Sequence, residues 1–296
     1  MSTAAPSNEE GAEASPEASE DQVGSLVEVL RLEPQGDGRF VARNHPGSGG
    51  GRVVFGGQIL AQMVAAAAQA VPDKAVKSLH AIFVRGGELA EPLGISVEVH
   101  HQGRLYASAT VTVGQAAGLC ARALVLLDAA DVELARHAEP MPAVDPPPEA
   151  RAGDADPRTV GEQQIAGGVD LSEEGENGPP ELLAWRRFPG APDEPAISQA
   201  LLAYASEPLL FGAALRPHAG LSPAMSYREV IPAVITHSVT YHDQFSAADW
   251  MLLSVRSPHL GRGRIFGTGD VFSQDGRLIA SFTQENQLRP IRPPSA

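Results

Sequence analysis

Cysteine is nearly absent from this chain of 296 residues, which carries a single one, Cys120. One thiol can form neither an intrachain disulfide nor a cysteine-based zinc site, so the sequence favours a reducing compartment and a cytoplasmic location. The apolar residues around Cys120 indicate a small core side chain rather than a nucleophile.

Positive charge is also scarce, with 22 Lys and Arg against 36 Asp and Glu and a formal net charge of -14. A broad basic surface for nucleic acid is therefore excluded. Much of the acidity lies in residues 1–22, among Ala, Ser and Pro. This composition is typical of a disordered acidic tail. It does not resemble a signal peptide.

Several signatures are missing. The most apolar run, residues 53–71, contains two glycines and three glutamines, which indicates a buried helix and no membrane span. The sequence has no phosphate-binding glycine loop and no G-x-S-x-G elbow, so neither a nucleotide cofactor nor a covalent serine is indicated. His237 and His242 are interpreted as strand residues without metal-ligand spacing, and no metal is expected.

What the sequence does contain is one arrangement, helix followed by antiparallel strands, that occurs twice. The first predicted helix starts at Gly56-Gly57 and ends before Pro72. The second covers residues 196–215 and is broken at Glu207-Pro208. Neither half can bury its sheet face alone, so we expect the two halves to share an interface.

Alternating apolar and polar residues mark the strands after each helix. We predict strands at residues 26–32, 39–42, 79–84, 94–100, 105–113, 119–127, 182–188, 235–242, 251–258, 264–273 and 278–288. The fold class is α+β, with an N-terminal domain over residues 23–135 and a C-terminal domain over residues 181–290. A flexible Pro, Gly and acidic connector over residues 136–180 joins them, and residues 291–296 form a tail.

Five segments together resemble the acyl-CoA thioesterase II family of double hotdog proteins: VFGGQILAQMVAAAAQAV, SLHAIFVRGG, LLAYASE, THSVTYHDQF and GTGDVFSQDGRLIASFTQENQLR. The resemblance implies two tandem hotdog domains, each a long central helix wrapped by a curved antiparallel sheet. It also implies an acyl-CoA substrate that is hydrolysed by water without metal or cofactor, and a protein able to form homo-oligomers.

The resemblance also implies the site residues, namely an Asp on the second helix, a hydroxyl on the next strand and a Gln on the last strand. These positions hold Glu207, Val234 and Gln284 here. Since Val234 has no hydroxyl, we expect Thr236, two residues along and on the same face, to supply one. We expect Glu207 to be the base and Gln284 to orient the water.

Substrate binding is assigned to two further groups. The helix start at Gly56, Gly57 and Gln58 offers free N–H groups to the thioester oxygen. Arg262 and Arg264 are candidates for the phosphates of coenzyme A.

Simpler interpretations stay open. Glu207 could pair with an arginine, Gln284 could be exposed, and Gln58 could cap its helix. Arg262 and Arg264 could belong to a solvated strand end. For the whole protein, the alternative is a catalytically impaired acyl-CoA binding protein of the same fold. Hydration or dehydration of a thioester is disfavoured because AYASEPLLFG contains no histidine.

Overall fold

The structure is a computed structural model that describes residues 16–46, 52–147, 160–169, 171 and 177–291, with side chains described from residue 19 onward. Most of the predicted acidic tail, the centre of the connector and the last five residues lie outside the described residues.

The described residues form one antiparallel sheet of twelve strands, in the order β1-β2-β4-β5-β6-β3-β9-β12-β11-β10-β8-β7. The strands of the first half are β1 Glu33–Gly36, β2 Arg39–Ala42, β3 Ala75–Phe83, β4 Leu93–Gln102, β5 Tyr106–Gln115 and β6 Gly118–Asp128. Those of the second half are β7 Glu162–Ile165, β8 Glu181–Arg187, β9 Val230–Tyr241, β10 Met251–Gly261, β11 Arg264–Ser273 and β12 Leu278–Pro290.

The two halves have the same strand order. In the first, β2-β4-β5-β6-β3 are neighbours, and in the second β8-β10-β11-β12-β9 are neighbours. Along the chain, the long helix of each half connects the two outermost strands of its set, β2 to β3 and β8 to β9. Strands β3 and β9 pair with each other, for example Ala81 with His237, and join the halves into one sheet. The expected interface between the halves is therefore main-chain pairing as well as side-chain packing.

Helices α2 (Gly56–Ala70) and α3 (Pro195–Ser206) pack against each other on the inner face of this sheet. The pattern of β5 explains the contact, since Ala107, Ala109 and Val111 are all buried while the residues between them are less so. Small residues on strand and helix let the two layers approach closely. The expectation that the first helix forms the core beneath these strands is confirmed.

The predicted strand at residues 26–32 is wrong, because residues Pro16–Leu30 form helix α1. Val23, Leu26, Val27 and Leu30 are buried, and their spacing of three or four residues puts them on one helical face. The same helix replaces the last part of the predicted disordered tail.

The predicted break in the second helix is confirmed, with α3 ending at Ser206 and α4 covering Leu209–Leu215. Pro208 has no N–H for the carbonyl of Tyr204, four residues earlier. Glu207 nevertheless keeps a helical backbone (φ -76, ψ -45), contrary to the expectation that Pro208 disfavours it. A Cβ on Gly57 would lie 2.7 Å from the Tyr204 carbonyl oxygen, so glycine is what lets the start of α2 approach the break.

Candidate active site

A cavity of about 520 Å³ lies where the start of α2 meets the break between α3 and α4. Strand β9 closes one side. Most of the wall is apolar, and the polar exceptions matter most for chemistry. The wall includes Phe55, Gly56, Ile59, Arg85, Arg186, Tyr204, Glu207, Phe211, Val234, Arg264 and Asn286.

Glu207 contributes a carboxylate to this wall. The residue is 8% exposed, and none of the described residues donates a hydrogen bond to its side chain. Burial away from water disfavours the charged form and raises the pKa of Glu207 to about 7. A Cβ on Gly56 would lie 3.5 Å from Glu207 Oε1, so the carboxylate lies beside the first turn of α2. The N–H groups of Gly56 and Gly57 have no acceptor within the helix, whereas the N–H of Gln58 donates to the Phe55 carbonyl (3.1 Å).

Gln284, on β12, holds the backbone of Glu207 rather than its carboxylate. Gln284 Nε2 donates to the Glu207 main-chain carbonyl (2.9 Å) and to Asn286 Oδ1 (2.8 Å). Because a main-chain carbonyl can only accept, this contact also fixes which way the Gln284 amide points. The remaining oxygen, Oε1, accepts from His237 Nδ1 at 3.0 Å.

His237 extends these contacts into a buried chain from β12 to α3. Its Nε2 lies 3.0 Å from Ser206 Oγ, the last residue of α3. Since Gln284 Oε1 has no proton to give, Nδ1 carries the histidine proton. The Ser206 hydroxyl has two acceptors for its one proton, His237 Nε2 and the Ala203 carbonyl, each 3.0 Å away. Burial lowers the pKa of His237 to about 4, so the ring is neutral near pH 7.

The structure differs from the expected role of Gln284. Both of its N–H groups bind protein atoms, and the side chain lies behind the cavity wall. Glu207 and Gln284 are neighbours, as the resemblance implies, but through the Glu207 carbonyl. Gln284 therefore positions the residue that carries the carboxylate.

The expectation that Thr236 shares a face with Val234 is wrong. Strand β9 has a bulge at Ile235, since Thr236 pairs with Glu285 while Val234 pairs with Asn286, the next residue of β12. Glu285 is exposed and Asn286 is buried, so Thr236 faces outward and Val234 faces the cavity. One extra residue in a strand reverses the alternation.

Some of the predicted binding residues line the cavity and others do not. Gly56 and Arg264 line the cavity, whereas Arg262 is exposed in the turn between β10 and β11. Gln58 is turned away, with Oε1 accepting from the backbone N–H of His45 and Nε2 donating to Asn44 Oδ1, each at 3.0 Å. It holds the preceding loop.

Three contributors were not identified from the sequence: His237, Arg85 and Arg186. His237 shares the odd-numbered face of β9 with buried Val239 and Tyr241, which was an available signal. Arg85 lines the cavity and donates to the carbonyls of the turn before β6, at 2.9 and 3.1 Å.

Comparison with known families decides which class of site this is. The model described as acyl-CoA thioesterase N-terminal domain matches residues 44–127, and the C-terminal domain model matches residues 132–288, which together are most of the chain. The chain belongs to the acyl-CoA thioesterase family. Acyl-CoA thioesterase 2 of Haemophilus influenzae is 28% identical over 287 residues, covering 91% of this chain and 98% of the relative.

Solved structures of this family agree with the fold. Acyl-CoA thioesterase II TesB2 from Mycobacterium marinum aligns with a TM-score of 0.74 and 25% identity, over 90% of this chain and 98% of the other. A hot dog fold protein from Alicyclobacillus acidocaldarius aligns with a TM-score of 0.70 and 20% identity, over 92% and 99%. The fold is therefore of the hot dog type. Within the described part of the chain, no helix has the length and apolar character needed to cross a membrane.

Replacing His237 with Phe should lower the free energy of unfolding by about 1–3 kcal/mol, because Gln284 Oε1 is left buried without a donor. Phe keeps the stacking on Phe282, whose ring centre lies 5.5 Å away. Urea denaturation measures the change. His242→Phe is the matched control, since His242 is exposed just after β9 and should change stability by less than about 0.5 kcal/mol. Equal losses would contradict the importance of the buried chain.

Replacing Glu207 with Gln should stabilise the protein increasingly as pH rises. The folded-state pKa of about 7 is above the ordinary glutamate pKa of 4.5, so ionisation destabilises the fold from about pH 4.5 upward and reaches its full effect above pH 7. At about 1.4 kcal/mol per pKa unit, the variant should gain about 3 kcal/mol at pH 8 and nothing at pH 4. A difference that does not vary with pH in denaturation curves would refute the raised pKa.

Proposed function

We propose that this protein hydrolyses acyl-CoA thioesters to a carboxylate and free coenzyme A, with Glu207 as the general base. The observation that carries the proposal is a buried carboxylate with a pKa near neutrality, to which no described residue donates a hydrogen bond, set beside the first turn of a helix in a mostly apolar cavity. A base of this kind works best when its pKa is close to the working pH.

The reaction follows from these positions. Glu207 removes a proton from a water molecule, whose oxygen attacks the thioester carbonyl carbon. The oxygen of that carbonyl becomes negative, and the free N–H groups of Gly56 and Gly57 at the positive end of α2 stabilise it. When the carbon–sulfur bond breaks, protonated Glu207 returns its proton to the leaving thiolate.

The rest of the site holds these groups in place. Gln284, His237 and Ser206 fix the end of α3. Arg264 and Arg85, at the more exposed end of the cavity, are the groups that would bind the phosphates of coenzyme A.

We also propose that each half is one hotdog domain, over residues 23–135 and 181–290, because both have the same strand order around one long helix.

A reducing cytoplasm suits the single buried Cys120. Association into homo-oligomers would cover Ile82 and Leu124, which are more than half exposed on the outer face of the sheet.

Glu207→Gln should reduce release of free thiol from acyl-CoA by about a hundredfold or more, because the amide cannot accept the proton. For the unaltered protein, kcat/KM should rise with pH and level off above an apparent pKa of about 7. A thiol-reactive dye follows the reaction. Glu285→Gln is the control, since it makes the same change on the exposed face of β12. Substrate binding without thiol release by the unaltered protein would instead indicate a binding protein.

Val234→Thr should raise kcat by about fivefold, the effect of one added hydrogen bond, because it puts a hydroxyl into the wall next to Gly56. Thr236→Val, the converse control, removes a hydroxyl from the outward face and should leave kcat within about twofold. If Thr236→Val changed kcat and Val234→Thr did not, the bulge at Ile235 would not exist in solution.

A further inference from the structure

Arg186 is a charged residue in the wall of the cavity. It lies on β8, where Leu182, Ala184, Arg186 and Phe188 share the inward face, and its exposed fraction is 0%. The cavity that holds Glu207 includes Arg186 in its wall. Charged side chains are almost never fully buried without a partner of opposite charge.

The described residues give Arg186 hydrogen bonds but no negative charge. Nη1 donates to Gln163 Oε1 (2.7 Å) and Nη2 to the carbonyl of Val160 (3.1 Å). The buried Nε has no acceptor, and no carboxylate of the described residues forms an ion pair with the guanidinium. Burial lowers the pKa of Arg186 to about 10, which still leaves it charged at neutral pH.

The next residue, Arg187, shows what an ordinary arginine of this strand does. It faces the other side of the sheet, pairs with Glu162 Oε2 at 2.8 Å and lies over the ring of Trp250 at 4.6 Å. Its charge is therefore satisfied at a partly exposed site. Arg186 is fully buried, lies over the Phe188 ring at 5.4 Å, and has no carboxylate partner among the described residues.

Arg186 also lies at the buried end of the cavity. Tyr204, which interacts with it electrostatically, is 2% exposed, and Ile59 of the same wall is 1% exposed, whereas Arg85 is partly exposed and Arg264 is exposed. Coenzyme A is large and multiply charged, and its phosphates stay at the solvent end. The acyl chain is the part of the substrate that reaches the buried end.

We propose that the cavity accepts acyl-CoA thioesters whose acyl chain ends in a carboxylate, and that Arg186 binds this carboxylate. The inference rests on the proposed hydrolase function. A guanidinium presents Nε–H and one Nη–H along a single edge, which matches the two oxygens of a carboxylate. The substrate would then supply the negative charge that the described residues do not place beside Arg186.

The test compares suberyl-CoA with octanoyl-CoA, which have equal chain length and differ in the terminal group. The unaltered protein should show a higher kcat/KM for suberyl-CoA. Arg186→Leu should lower the ratio of the two kcat/KM values by about tenfold to a hundredfold, the effect of losing a hydrogen bond between charged groups. Arg187→Leu, the matched control, should leave this ratio unchanged.

A second measurement does not depend on turnover or on the folding of the Arg186 variant. Calorimetric titration of the Glu207→Gln protein should show tighter binding of suberyl-CoA than of octanoyl-CoA. If octanoyl-CoA binds as tightly and the kcat/KM ratio favours it, the role of Arg186 is refuted while the hydrolase function stands. If suberyl-CoA binds more tightly but the unaltered protein releases no thiol from either substrate, the hydrolase function fails and the carboxylate site stands. An equal fall for both substrates in Arg186→Leu would show a purely structural arginine.

Discussion

The hydrogen bond from the Gln284 amide to the Glu207 main-chain carbonyl determines where the carboxylate lies. The helical segment is interrupted there, because Pro208 cannot continue the backbone hydrogen bonds of α3. An interrupted helix leaves carbonyl groups that need donors, and a buried carbonyl without one costs about 1–3 kcal/mol. Strand β12 provides the donor, so the break has one defined geometry and the side chain of Glu207 reaches the cavity.

Burial disfavours the charged form of both His237 and Glu207, yet the consequences differ. It keeps His237 neutral, which preserves one tautomer and hence one direction of hydrogen bonding from His237 to Gln284. It makes Glu207 harder to ionise, which makes its carboxylate a stronger base. Of the two, only Glu207 lines the cavity, so the neutral His237 supports the backbone while the neighbouring Glu207 carboxylate is available as a base.

The sequence predicts the two long helices and most strands because their patterns are local. It does not reveal the bulge at Ile235, which depends on how β9 meets β12 and which moves Thr236 to the outer face. Helix α1 was misassigned because the alternation in residues 26–32 is short, whereas the helical spacing appears only when Val23 is included. Gln284 was correctly placed beside Glu207, but its hydrogen-bond partners depend on tertiary contacts with His237 and Asn286.

Arg186 shows how strand alternation and charge can give opposite predictions. Alternation puts it inward with Ala184 and Phe188, while its charge suggests solvent, and the structure follows alternation. A buried guanidinium that has no counter-ion among the described residues destabilises the free protein, because two hydrogen bonds and the Phe188 ring only partly replace the lost hydration. A ligand that brings the missing negative charge removes that cost, and anything that binds only the folded state stabilises it. Stability and substrate selection are thereby linked through one side chain.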